Sequence, residues 1–123
     1  IMKELIKFST AQLPGIHRGK VRESLCVNDS MRLIVVTDRI SCFDRNLETA
    51  LPYKGMILNG LSNAWFAKTK HIIDNHVINP VDPCATLVKE AKPIRVEMIM
   101  RRYLTGSLWR KYEAGVREIC GLT

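Results

Sequence analysis

Apolar and polar positions divide the chain into short β-like stretches around a single long helical one. From Met31 to Val36 four apolar residues stand in a row, Leu33, Ile34, Val35 and Val36, which predicts a strand buried on both faces. Upstream, Lys20–Val27 alternates. Val21, Leu25 and Val27 share one side, and Lys20, Arg22 and Ser24 the other. Asn28-Asp29-Ser30 is turn chemistry, so the two strands should pair as an antiparallel hairpin.

Met56–Ile73 reads as the long helix. Ile57, Leu61, Ala64 with Trp65, and Ile72 recur at helical spacing, and Lys68 and Lys70 take the wet side. Trp65 and Phe66 are expected in the core. Asn79–Glu90, with Pro80 and Pro83, reads as loop. Ile94–Arg101 reads as another strand, with Ile94, Val96, Met98 and Met100 inward and Arg95, Glu97, Ile99 and Arg101 opposite. Ser107 is placed to cap a short helix whose inner face is Leu108, Trp109 and Tyr112. The expected class is α+β: an antiparallel sheet with one long helix packed on a face.

Composition narrows the functional classes. At 123 residues, one domain is the prior, and 46% hydrophobic content excludes disorder. No apolar run reaches membrane-span length, and no apolar block resembles a signal peptide. The net charge of +7 invites an anionic partner: nucleic acid, a membrane surface or a phosphorylated small molecule. The bases are dispersed rather than blocked, which argues against a basic arm. Cys26, Cys42, Cys84 and Cys120 are widely spaced with no C-x-x-C pair, so no zinc site is expected and reduced thiols in the cytoplasm are the simple reading. The chain starts at Ile1 rather than Met, and it reads as part of a longer protein.

Three stretches carry candidate chemistry. Gly15-Ile16-His17-Arg18-Gly19-Lys20-Val21-Arg22 has two glycines followed by a lysine, and glycine lets backbone amides approach an anion. It is not a Walker loop, because the spacing is one residue short and Val21 stands where a hydroxyl is needed. Thr37-Asp38-Arg39-Ile40-Ser41-Cys42-Phe43-Asp44 turns abruptly polar after the buried strand. Such a cluster on a rigid support suits binding or catalysis, or else is a turn with a surface ion pair. Arg101, followed by Tyr103-Leu104-Thr105-Gly106-Ser107, sets an arginine before a glycine-serine helix start. That is an arrangement for one phosphate group, or an ordinary capped turn.

Taken in order, these motifs, with Lys54-Gly55-Met56-Ile57-Leu58-Asn59, Leu61-Ser62, Trp65-Phe66, Asn75-His76 and Lys92-Pro93-Ile94, resemble the phosphoribosylaminoimidazole-succinocarboxamide synthases (SAICAR synthetases) of purine biosynthesis. The resemblance runs from about Gly15 to Tyr112. It implies an ATP-dependent ligase that joins carboxyaminoimidazole ribonucleotide (CAIR) to L-aspartate, with release of ADP and phosphate. Gly19, Lys20 and Arg22 match a glycine-loop hairpin over the ATP phosphates, as in the small lobe of kinases. Arg101, Gly106 and Ser107 match a clamp for the CAIR 5′-phosphate. Asp38, Arg39, Ser41 and Asp44 match the signature cluster, the implied catalytic group on the substrate side. Lys89–Met98 would border the adenine through backbone groups. Arg102 departs from the family pattern, in which glycine is common.

The resemblance also implies an N-terminal, β-rich ATP-binding lobe over residues 1–100 and the start of a second lobe over 101–123. It implies Mg2+ with ligands beyond this chain and none within it. CAIR and L-aspartate are the implied partners, nucleic acid and membrane are not, and a homo-oligomer is left open. One alternative is a non-catalytic basic domain that binds nucleotides or RNA. Its exposed strand positions lack the paired aromatics that stack bases. The other is a kinase-like phosphotransferase, for which no H-R-D or D-F-G element is present.

Overall fold

The computed structural model describes residues 15–43, 45–96 and 98–118. Seven strands and two helices follow in the order β1 (Ile16–Arg18), β2 (Arg22–Asn28), β3 (Met31–Val36), β4 (Ser41–Cys42), β5 (Arg45–Asn46), α1 (Lys54–Thr69), β6 (Val77–Asp82), β7 (Ala85–Lys89) and α2 (Gly106–Glu113). The main sheet is antiparallel with order β1-β2-β3-β7-β6, and β4 and β5 form a separate two-stranded ribbon. The chain divides into two units, Ile1–Lys92 and Pro93–Thr123.

The predicted hairpin is present, with Arg22 opposite Val36, Glu23 opposite Val35 and Ser24 opposite Ile34. Strand β3 lies between β2 and β7, and its apolar run supplies the buried Val35 and Val36. Each such side chain contributes about 1.5–3 kcal/mol on burial.

The loop expected over Asn79–Glu90 is instead most of a hairpin, with β7 in the sheet interior and β6 at the edge. Proline misled the reading. Pro80 sits on an edge strand at a register shift, where the ladder needs no N–H from it. Pro83 lies in the turn, where the Cys84 amide donates to Asp82 Oδ1 at 2.8 Å. The short stretch Ala85–Lys89 then buries Ala85, Thr86 and Val88.

The long helix runs Lys54–Thr69 rather than Met56–Ile73, and the expected inner face is the outer one. Ile57 is 62% exposed, Leu61 54% and Trp65 56%. The buried face carries Gly55 and Asn59, with Asn63 and Phe66 half-buried. The sheet receives polar groups here: Thr86 Oγ1 donates to Asn59 Oδ1 at 2.9 Å, and Asn63 Nδ2 donates to Thr86 Oγ1 at 2.8 Å. Asn59 Nδ2 also donates to the Pro83 carbonyl at 3.0 Å. A satisfied polar ladder can hold a helix on a sheet where hydrophobic periodicity points elsewhere. Trp65 is therefore not core, and Phe66 meets His76 edge-on at 5.0 Å between ring centroids.

In the second unit, the strand expected over Ile94–Arg101 is absent among the described residues. Ile94 is 86% exposed and Met100 91%. Alternation makes a strand only where another strand supplies hydrogen bonds, and no ladder reaches these residues. Helix α2 is present, with Thr105 rather than Ser107 at the N-cap and no side-chain cap bond.

Candidate active site

Strand β3 is followed by Thr37, Asp38 and Arg39, which tie together three parts of the first unit. Thr37, fully buried, donates its hydroxyl to the Val21 carbonyl at 2.8 Å and its amide to the same oxygen at 3.1 Å. Asp38 points to the helix: its Oδ1 accepts from the Gly55 amide at 2.8 Å. The Asp38 carbonyl accepts from the Leu51 amide at 2.9 Å. Arg39 turns back to the loop between β1 and β2. Its Nε donates to the Lys20 carbonyl and its Nη2 to the Gly19 carbonyl, both at 3.0 Å. Its Nη1 meets Glu23 Oε1 at 2.8 Å, in a pair whose side chains are 16% and 2% exposed.

This geometry shows why the sequence folds as it does at the site. Tyr53 precedes α1 in the left-handed region and makes no side-chain cap bond, so the Asp38 carboxylate from the strand end serves the helix start instead. A carboxylate among helix N-terminal amides is favourable on charge grounds as well. The Lys54 ammonium lies 3.4 Å from the Thr37 carbonyl. Gly55 is required by space, since a Cβ there would overlap the Val36 carbonyl oxygen.

The glycine loop itself is tight. The Gly19 amide donates to the Arg22 carbonyl at 2.8 Å, and a Cβ on Gly19 would lie 3.1 Å from that oxygen. Lys20 is exposed beside it. Arg22 pairs across the hairpin with Val36, so both side chains take the same sheet face. That face and α1 enclose a cavity of about 360 Å³, lined by Val21, Arg22, Val36, Val88, Asn59 and Phe66 among others. Its walls are apolar with a few polar groups, the usual make-up of a small-molecule seat.

Ser41 lies half-buried in β4 and pairs with Asn46 across the ribbon. Asp44 lies outside the described residues. Among the described residues, no three His, Cys, Asp or Glu side chains gather as a metal-binding group.

Glu23 belongs to the site as well, and its sequence position carries a signal. It stands on the same strand side as Val21, Leu25 and Val27, and a charge amid an apolar face needs a partner. Asn59 and Thr86 carry no such signal, because neither has a pattern that marks it as buried.

The second unit carries its own cluster. Arg101 Nη1 lies 3.4 Å from the Thr105 hydroxyl, and a Cβ on Gly106 would come within 2.9 Å of the same nitrogen. Gly106 has φ +65°, a conformation that glycine adopts without strain. The guanidinium therefore lies against the start of α2, whose first turn has no acidic residue. Ser107 is exposed in that turn. A cation beside the positive end of a helix is a pairing that an anion stabilises.

These features define an α+β protein with basic groups at a glycine loop and an arginine at a helix start. The chain belongs to the SAICAR synthetase family, whose sequence model matches residues 15–123. It is 42% identical over 108 residues to the phosphoribosylaminoimidazole-succinocarboxamide synthase of Azobacteroides pseudotrichonymphae, covering 88% of this chain and 33% of that protein. Against the Cupriavidus metallidurans enzyme of the same name it is 41% identical, covering 96% and 43%. The SAICAR synthase of Saccharomyces cerevisiae, solved in complex with SAICAR, superposes with a TM-score of 0.82 at 32% identity, covering 93% of this chain and 45% of that one. The chain thus spans about a third to less than half of these relatives.

Proposed function

We propose that this chain is the N-terminal part of an ATP-dependent ligase that joins CAIR to L-aspartate to form SAICAR, ADP and phosphate. The observation that carries the reading is the pairing of family membership with basic groups at the glycine loop and an arginine, Arg101, at the start of α2. Two substrates of the proposed reaction, ATP and a ribonucleotide, are anions, and the net charge of +7 suits them.

In this reading residues 1–100 form the ATP-binding lobe and residues 101–123 begin the substrate lobe. The nucleotide lies over the sheet face that carries Arg22 and Val36. The apolar wall of Val21, Val36 and Val88 takes the base, and Gly19, Lys20 and Arg22 take the phosphates. A glycine loop joins the first two strands of an antiparallel sheet with one helix on its face, which supports a nucleotide lobe like the small lobe of a kinase. Arg101, Gly106 and Ser107 hold the CAIR 5′-phosphate. Of the signature cluster, Asp38 and Arg39 organise the backbone, and Ser41 and Asp44 enter as substrate contacts from the sequence motif.

The chemistry requires activation, because a carboxylate resists attack by an amine. Transfer of the γ-phosphoryl group to the CAIR carboxylate gives an acyl phosphate and ADP. The aspartate amine then attacks the acyl carbon, loses a proton and expels phosphate. The chain's share is to position anions and neutralise their charge. Mg2+ would supply charge neutralisation on the phosphates in such a transfer. The two buried carboxylates near the glycine loop are engaged elsewhere: Glu23 pairs with Arg39 and Asp38 holds the Gly55 amide. The Mg2+ ligands are assigned to the continuation of the protein. Cytoplasmic location accords with free thiols at Cys26, Cys42 and Cys84, and no helix among the described residues is long and apolar enough to cross a membrane.

The test is ADP release by the full natural reading frame, with CAIR, L-aspartate and Mg-ATP each omitted in turn. ADP is expected only when all three are present. Release that ignores CAIR and aspartate would sink the assignment.

A further inference from the structure

We propose that the Arg39–Glu23 pair is a positioning device that shapes the glycine loop for the ATP phosphates, so that Arg39 acts through the loop and not on the reacting atoms. The proposal rests on the nucleotide reading above and goes beyond it by assigning a role to two residues remote from each other in sequence.

Arg39 uses its fork to hold two consecutive loop carbonyls and one carboxylate at once: Gly19 and Lys20 at 3.0 Å, and Glu23 at 2.8 Å. The guanidinium presents its donors in a fixed plane, so the three contacts fix the loop relative to β2. All peptide bonds here are trans. In a planar trans peptide the N–H of one residue points opposite to the C=O of the residue before. Holding the Gly19 and Lys20 carbonyls on Arg39 therefore turns the amides of Lys20 and Val21 to the other edge of the loop. Consecutive amides presented on one edge are what a phosphate oxygen binds.

Glu23 supplies the second argument. It is 2% exposed and faces the same side as buried Val35. A buried ion pair stabilises a fold no better than well-packed apolar residues of the same volume. The pair's distinctive property is directional: the carboxylate anchors a guanidinium that also donates to two loop carbonyls. Thr37 reinforces the arrangement by binding the next carbonyl, Val21, through both its amide and hydroxyl. Three successive carbonyls, of Gly19, Lys20 and Val21, are thus held by the segment that follows β3.

The test uses the full-length enzyme with Arg39→Lys and Glu23→Gln. Lysine keeps the charge that Glu23 needs but cannot hold both carbonyls, being a point charge rather than a fork. The expected result is a KM for ATP raised about tenfold, with KM for CAIR and kcat at saturating ATP within about twofold of wild type. Glu23→Gln, nearly isosteric, is expected to raise the KM for ATP in the same direction, and it carries the test if Arg39→Lys does not fold. A folded variant with unchanged KM for ATP overturns the proposal. So does a loss of kcat of about a hundredfold with KM for ATP unchanged, which would make Arg39 a catalytic residue. Wild-type enzyme that releases no ADP removes the nucleotide reading and this role with it; active wild type beside silent variants removes this role alone.

Discussion

Asp38 holds the start of α1: its Oδ1 accepts a buried hydrogen bond from the Gly55 amide at 2.8 Å. The contact ties the helix to the segment after β3 that also carries Thr37 and Arg39. It makes Asp38 an organiser of the site. Removing the acceptor in Asp38→Ala leaves a buried amide without its partner and should cost about 1–3 kcal/mol in urea denaturation. Asp38→Asn keeps a carbonyl oxygen in the same place and should lose less. Equal loss in both variants would show that charge, not acceptance, is what the helix start needs.

Gly55 and Gly60 should respond to alanine in opposite directions. A Cβ on Gly55 overlaps the Val36 carbonyl, whereas nothing lies within 4 Å of one on Gly60. Gly55→Ala should destabilise by about 1–3 kcal/mol, the usual cost of overpacking. Gly60→Ala, inside the helix, should stabilise by about 0.5–1 kcal/mol. Thermal or urea melts of the two variants side by side decide it.

The cysteines should separate by reactivity. Burial raises the Cys84 pKa, and Asp82 and Asp38 add to the shift. Both effects disfavour the thiolate, so its thiol stays protonated to higher pH than an ordinary one. Cys26 and Cys42 are exposed. Iodoacetamide at pH 8, followed by peptide mass mapping, should label Cys26 and Cys42 before Cys84. The Cys84 rate should still climb with pH after an ordinary thiol has levelled off. Cys84 labelled first would contradict the ordering.

Gly106→Ala tests the geometry of the second cluster. Its φ of +65° and the Arg101 nitrogen at 2.9 Å from a Cβ both resist a side chain. The variant should displace the Arg101 guanidinium and raise the KM for CAIR by about tenfold, with KM for ATP unchanged. A rise in both constants would mean a general disturbance of the enzyme.

Much of this architecture could be read from residue patterns. The β2–β3 hairpin followed from alternation and turn chemistry, and the motif order led to the family. The orientation of α1 could not be read, because its apolar residues are spread around the helix and Ile57, Leu61 and Trp65 face outward. The helix is held by Asn59, Asn63 and Thr86, whose pairing depends on contacts far apart in sequence. Strand β7 was hidden by the prolines before it, which an edge strand and a turn accommodate. At the site, the polar stretch after the buried strand was legible, and Asp38 and Arg39 lie in it. Their partners, Glu23 and the Gly55 amide, emerge only when the strands are paired.

The most direct measurement of the central claim, two separate anion sites for two substrates, is a pair of KM profiles on the full-length enzyme. Lys20→Ala should raise the KM for ATP and leave that for CAIR; Arg101→Ala should do the reverse, each by about tenfold or more. If both variants weaken both substrates equally, the two clusters do not divide the substrates between them, and the account is wrong.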